Sequence, residues 1–185
     1  MLVWKLPHSP TMFAAMVFVS MRAAIVAIAV LFTVPAWAQA PQALLENPGT
    51  WGAFKVKEDD GSACYIAAQP ADTEPKNVNR GDIWVLVTHR PYRKVHNEVS
   101  IYIGYPFKDD SDVTVDIDGK SFKLFTDGET AWAQDADADS ALVTAMRAGN
   151  KMVIRGLSSR GTKTTDTYSL KGFTRAHEAI NKACQ

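Results

Sequence analysis

Val113-Thr114-Val115-Asp116-Ile117-Asp118-Gly119, continued by residues 121–125, is the stretch that decides the fold. Val113, Val115 and Ile117 alternate with Thr114, Asp116 and Asp118, the period of a strand with one buried and one wet face. Asp118-Gly119 then supplies the dipeptide that closes a tight hairpin. Upstream, the run 83–87 is apolar on both faces, which predicts a central strand covered on both sides. Its expected partner is 99–105, where Val99, Ile101, Ile103 and Tyr105 share one face. Two further strands, 51–56 and 63–68, flank Glu58-Asp59-Asp60-Gly61. Downstream, Asp127-Gly128 leads to 130–133, and 151–157 pairs with 164–170 around Ser158-Ser159-Arg160-Gly161.

Two helices complete the pattern. Asp139 can cap residues 140–148, which end at Gly149 and carry Leu142, Val143 and Met146 as an apolar stripe. Thr174 can cap residues 175–183, where Ala176, Ala179, Ile180 and Ala183 share one side. Many short strands with Asp-Gly turns predict an all-β fold, an antiparallel β-sandwich or partly open barrel with one or two short peripheral helices. The helical crossovers of a parallel sheet are missing.

The N-terminus has a different character. Arg22 precedes the apolar run 23–34, then Pro35 and Ala36-Trp37-Ala38, the small-residue form at which a signal peptidase cuts. Residues 1–38 therefore read as a signal peptide, and 39–185 as a single β-rich domain beginning at Gln39. A second apolar stretch, 12–19, stands ahead of Met21, which makes Met21 a candidate true start. The rival is an uncleaved anchor, but neither run reaches the ~20 residues of a bilayer span. Cleavage removes Lys5 and Arg22 and no acid, which leaves 18 basic and 20 acidic side chains. That balance carries no footprint for nucleic acid and no polybasic membrane anchor. Export to a periplasmic or secreted location places Cys64 and Cys184 in an oxidising compartment, where an even count argues for a disulfide. Closing about 119 intervening residues is worth ~4–5 kcal/mol in the chain-entropy model.

Catalytic candidates are sparse. His89, His96 and His177 lack metal-ligand spacing, so no metal or cofactor is expected. There is no G-x-S-x-G elbow. Asp135, Asp137 and Asp139 alternate as in a calcium loop, but Ser140 and Met146 replace the glycine and glutamate such a loop needs, and acids before a helix start act as caps. Asp116 and Asp118 read as the solvent face of their hairpin. Arg90, Tyr92, Arg93, Lys94 and His96 form one basic loop with an aromatic among cations, the candidate partner-binding site. Trp51, Trp84 and Trp132 lie on strands, with burial as the default; an open face carrying two of them would suit a sugar or lipid.

Trp51, Cys64-Tyr65, Gly104-Tyr105-Pro106, Asp116-Ile117-Asp118-Gly119 and Ala145-Met146-Arg147-Ala148-Gly149 resemble motifs of the invasion-associated locus B family of alpha-class proteobacteria. Arg160-Gly161-Thr162, Asp166-Thr167-Tyr168-Ser169-Leu170, Gly172-Phe173-Thr174 and Ala183-Cys184 continue the likeness in order over residues 50–185. The resemblance implies a small exported β-rich protein and brings no catalytic residue, cofactor or ligand with it. The expected function is an exported envelope or secreted interaction protein without catalysis, aiding host-cell association, whose partner is a protein or envelope component. The alternatives are a periplasmic binding module for a small lipid or sugar and, third, a hydrolase.

Overall fold

A computed structural model describes residues 40–45 and 51–185. The expected signal segment and the new terminus at Gln39 lie outside the described residues. The strands run β1 (Gln42–Leu45), β2 (Gly52–Glu58), β3 (Gly61–Ala68), β4 (Asp72–Glu74), β5 (Trp84–Arg90), β6 (Val95–Tyr102), β7 (Val113–Ile117), β8 (Lys120–Asp127), β9 (Thr130–Trp132), β10 (Lys151–Leu157) and β11 (Lys163–Ser169). A 3-10 turn, Pro91–Arg93, joins β5 to β6, and the helices are α1 (Ala136–Ala148) and α2 (Phe173–Ala183).

All pairings are antiparallel, in the order β1-β2-β3-β5-β6-β9-β8-β7-β10-β11-β4. β8 serves two sheets: its first residues pair with β7 and its last three with β9. Period-2 patterning then assigns each face. Ala53, Cys64, Ile66, Val85, Val87, Val99 and Ile101 of the first sheet share one buried core with Val113, Val115, Ile117, Met152, Ile154 and Tyr168 of the second. The result is an open antiparallel sandwich of two unequal sheets with helices at its side, as the alternating runs require. Both helices pack on this inner side, α2 against β1, β2, β3 and β5, and α1 against β6.

The hairpin of β7 and β8 forms as expected, with Asp118 at φ 48° and Gly119 at φ 93°. Left-handed backbone at both turn residues matches the twist of the flanking strands, and Gly119 adopts it without a Cβ penalty. Asp118 is more than a solvent-facing side chain: its carboxylate accepts from the N–H groups of Asn150 at 2.7 Å and Lys151 at 3.2 Å, tying the turn to the start of β10. Those N–H groups, Asn150 first, stabilise the carboxylate and hold its pKa below the usual carboxylate range.

The helix starts differ from expectation. α1 begins four residues earlier than the Asp139 cap implied, because Asp135 accepts from Ala138 N at 2.8 Å and takes the cap role. α2 begins after Gly172, at φ 90°, with no side-chain cap. Thr174 instead donates to Arg147 O at 3.0 Å, linking the end of α1 to the start of α2. Trp51 is fully buried, its Nε1–H donating to Ser169 O at 3.0 Å and its ring edge-on to Phe173. At the far end of α2 the Cys184 sulfur lies at bonding distance from that of Cys64, with Cα atoms 5.9 Å apart.

Candidate interaction surface

Among the described residues, neither helix nor the second sheet covers the outer face of the first sheet. Cross-strand register places Phe54 opposite Tyr65, Ala67 opposite Leu86, Trp84 opposite Tyr102, and Trp132 between Ser100 and Phe125, all on this face. Tyr102 is 41% and Phe125 39% exposed, while Phe54, Tyr65, Trp84, Leu86 and Trp132 are half-buried. The run 83–87 is apolar on both faces, as its composition says, but only the Val85 and Val87 side is covered. The outer side of this strand is therefore not covered as expected: among the described residues both helices and the second sheet lie on the inner side.

Phe54 and Tyr65 stack with centroids 5.3 Å apart. Trp84 and Tyr102 form a second cross-strand pair four residues further along β5, roughly 13 Å away at strand rise. Ala67 and Leu86 lie low between the two pairs, so a shallow trough of about 400 Å³ opens there, lined by uncharged side chains. The second sheet provides an internal comparison. Its outer face presents Thr114, Asp116, Lys123, Arg155, Thr165 and Thr167, the composition of an ordinary solvated sheet. Aromatic enrichment is confined to the first sheet's outer face. Contiguous patches of this kind mark interaction sites.

One end of the face is closed by charge. Arg90 donates to Glu98 at 2.5 Å and to Glu58 at 3.4 Å, and the Tyr92 hydroxyl also donates to Glu58. The Tyr92 hydrogen bond, then Arg90 and Arg93, holds the Glu58 carboxyl below its ordinary range. The sequence-predicted basic loop is thus shorter than expected, since β5 runs through Arg90 and β6 resumes at Val95. Arg90 and Tyr92 are tied to carboxylates of the same chain, and Arg93 lies 3.7 Å from Asp60 on the exposed hairpin tip. Lys94, at φ 57°, and His96 are exposed. Together these residues make a mixed-charge rim beside the aromatic face.

The three histidines, which sequence spacing left apart, converge: the ring of His89 lies 5.4 Å from that of His96 and 5.6 Å from that of His177. Both buried rings hydrogen-bond to asparagines and not to serine or aspartate. Among the described residues no group of three or more His, Cys, Asp or Glu side chains is arranged to hold a metal ion. Asp135, Asp137 and Asp139 separate in role, the first capping α1 and the last accepting from Val99 N at 2.9 Å.

Phe54, Tyr65, Tyr102 and Phe125 were not singled out by sequence reasoning. The signal available was that aromatics occupy the supposedly wet phase of four neighbouring strands. Which phase is wet is fixed only by where the helices pack.

Residues 51–181 match the family model described as Invasion associated locus B (IalB) protein. The chain belongs to the IalB family. The solved crystal structure of invasion associated protein b from Bartonella henselae is similar to this chain at a TM-score of 0.50 and 13% identity, covering 78% of this chain and 98% of that one. At that identity the likeness is one of fold, and it agrees with the open antiparallel arrangement of the IalB chain described above. No curated protein matches the chain. Among the described residues of this IalB protein no helix is long and apolar enough to cross a membrane.

Proposed function

We propose that this IalB protein is exported as a single domain from residue 39, lacks catalysis, and acts in the envelope or outside the cell by binding a protein partner. Host-cell association is the setting that the family's description suggests. The observation that carries the reading is the aromatic outer face of the first sheet. A centre of Tyr, Trp and Phe with a rim of Arg90, Glu58, Glu98 and Lys94 has the anatomy of a protein interface, in which aromatic anchors supply affinity and the rim selects register. The rim carries both signs, so the fitting partner has an apolar centre and a mixed-charge border. Arg93 and His96 are the outlying members of that rim. Export is supported by the leader pattern and by a cysteine pair at bonding distance.

A second reading, a site for a small neutral sugar or lipid, is favoured by the uncharged lining of the trough. One experiment separates the two. A photo-crosslinkable residue is placed at Tyr102, and in a control at Arg155 on the opposite outer face, in protein exported by living bacteria. The expected result is a discrete heterologous protein adduct from position 102 and none from 155. Equal adducts from both positions, an adduct with a second copy of this chain, or no protein adduct would each overturn the reading. A small molecule retained by the wild-type protein in native mass spectrometry and lost in Trp84→Ser would then install the second one.

A further inference from the structure

Buried polar groups need partners, and between α2 and the first sheet two histidine rings find all of theirs in Asn97 and Asn181. His89 on β5 is 1% exposed and His177 on α2 is 4% exposed. The Asn97 N–H donates to His89 Nδ1 at 3.0 Å, which makes that nitrogen an acceptor and leaves the proton on Nε2. His89 Nε2 then donates to Asn181 Oδ1 at 2.7 Å. With its oxygen so used, Asn181 turns its amide nitrogen to His177 Nδ1 at 3.2 Å, again an acceptor. His177 Nε2 completes the path by donating to Asn97 Oδ1 at 2.8 Å. All four ring nitrogens are paired, and both rings must be neutral for this to hold.

We propose that this His89–Asn181–His177–Asn97 circuit is an acid-released latch that holds α2 on the first sheet. A proton added to His89 Nδ1 would face the Asn97 N–H, and one added to His177 Nδ1 would face the Asn181 amide, donor against donor in each case. Burial outweighs the hydrogen bonds with Asn181 and the Thr88 backbone that favour the charged form of His89, and the nearby charges offer no compensation. His96 approaches from β6, Arg147 from α1 and Lys55 from β2, where Lys55 donates to Ala183 O at 3.2 Å. Glu178 on α2 lies 3.9 Å from Arg147. Among the described residues neither buried ring has a carboxylate partner. Burial accordingly keeps both imidazoles less basic than usual, His177 down to about 4, with His89 and Arg147 adding to the effect.

A His whose folded value lies below the unfolded ~6.5 contributes stability that is present above 6.5 and is lost as pH falls towards the folded value. Release is therefore acidic, over the window from about 6.5 to about 4. Asn181 is exposed, which gives protons a route in. The Cys64–Cys184 link stays closed through this change, so the freed helix remains tethered at its C-terminal end while uncovering Phe173, Ala176 and Ile180.

Hydrogen exchange of the oxidised mature protein, corrected for intrinsic rates, tests this alongside NMR titration of the two rings. Between pH 7 and 4.5, α2 amides should exchange about tenfold faster or more, while amides of β7 and β10 change much less. The ring signals of His89 and His177 should titrate together with that loss. In His89→Gln/His177→Gln the α2 rates should no longer depend on pH in this window. Rings that titrate near pH 6.5 with α2 protection intact, or unchanged exchange down to pH 4.5, would overturn the latch, and both readouts exist in the wild-type protein if the double variant fails to fold.

Discussion

Arg80 turns its guanidinium inward, and the reason lies 86 residues away in sequence. Its Nη1 and Nη2 bind the two oxygens of Asp166, each at 2.7 Å, and Nε and Nη2 also reach Ile103 O at 3.1 and 2.7 Å. The Asp166 side chain is 0% and the Arg80 side chain 6% exposed. Next to this anchor the backbone of Gly104, at φ 77°, passes so close to Gly81 that a Cβ would meet Gly81 O at 2.5 Å. The fork geometry satisfies a charge that the core could not otherwise hold. Removing one partner strands the other, so Arg80→Met should cost about 3–5 kcal/mol in urea denaturation. Arg80→Met/Asp166→Leu should recover much of that loss, because the pair's attraction largely offsets its desolvation. Additive losses in the double variant would show that the two charges are not coupled. Sequence patterning placed Asp166 on a strand and within a family-like motif but was silent on Arg80, since no local period links residues so far apart.

α1 shows what local signals can and cannot specify about an element. Its end at Gly149 and its stripe of Leu142, Val143 and Met146 were legible, as capping and 3.6-residue spacing act within a few residues. Its start was misplaced because Asp135 and Asp139 are equally good caps on paper. Only tertiary packing distinguishes them, by engaging Asp139 with Val99 N on β6. That engagement half-buries a carboxylate, and burial, outweighing the Val99 hydrogen bond, raises its pKa to about 6, with Glu98 and Asp135 adding to the rise. A carboxyl whose folded value exceeds its unfolded ~3.9 makes the fold less stable when ionised, so this contribution improves as pH falls through 6. Asp139→Asn keeps the acceptor and removes the charge. After discounting for partial exposure, it should stabilise the protein by about 1 kcal/mol at pH 7.5 and make no difference near pH 4. Melting curves at the two pH values measure this, and a variant less stable than wild type at pH 7.5 would refute it.

At the scale of the molecule, alternating runs fixed the antiparallel sheets and the hairpin pairings, since period-2 chemistry is written residue by residue. They could not say which sheet face stays bare. That is decided by where α1 and α2 land, and both land on the inner side, leaving Trp84, Leu86 and Tyr102 of the apolar strand pair facing outward. Closure of the whole was legible for a different reason: two cysteines behind a leader-like segment that reads as a signal for export have few other expected uses. Their separation of 120 residues joins β3 to the C-terminal end of α2, so the link restricts nearly the entire unfolded chain. The sheets themselves share a continuous core in which the two cysteines are only two of many buried side chains. Losing the link should therefore weaken the fold without erasing it. Cys64→Ala/Cys184→Ala is expected to lose about 2–5 kcal/mol in denaturant unfolding, with an unchanged strand signature in circular dichroism. Under the same argument α2 should become the first region to lose amide protection, because what then holds it is the buried histidine circuit, the packing of Phe173, Ala176 and Ile180, and the hydrogen bonds of Thr174 and Lys55 at its two ends. A variant that unfolds all at once, α2 and the β7–β10 sheet together, would show instead that the two sheets depend on the link for their own pairing.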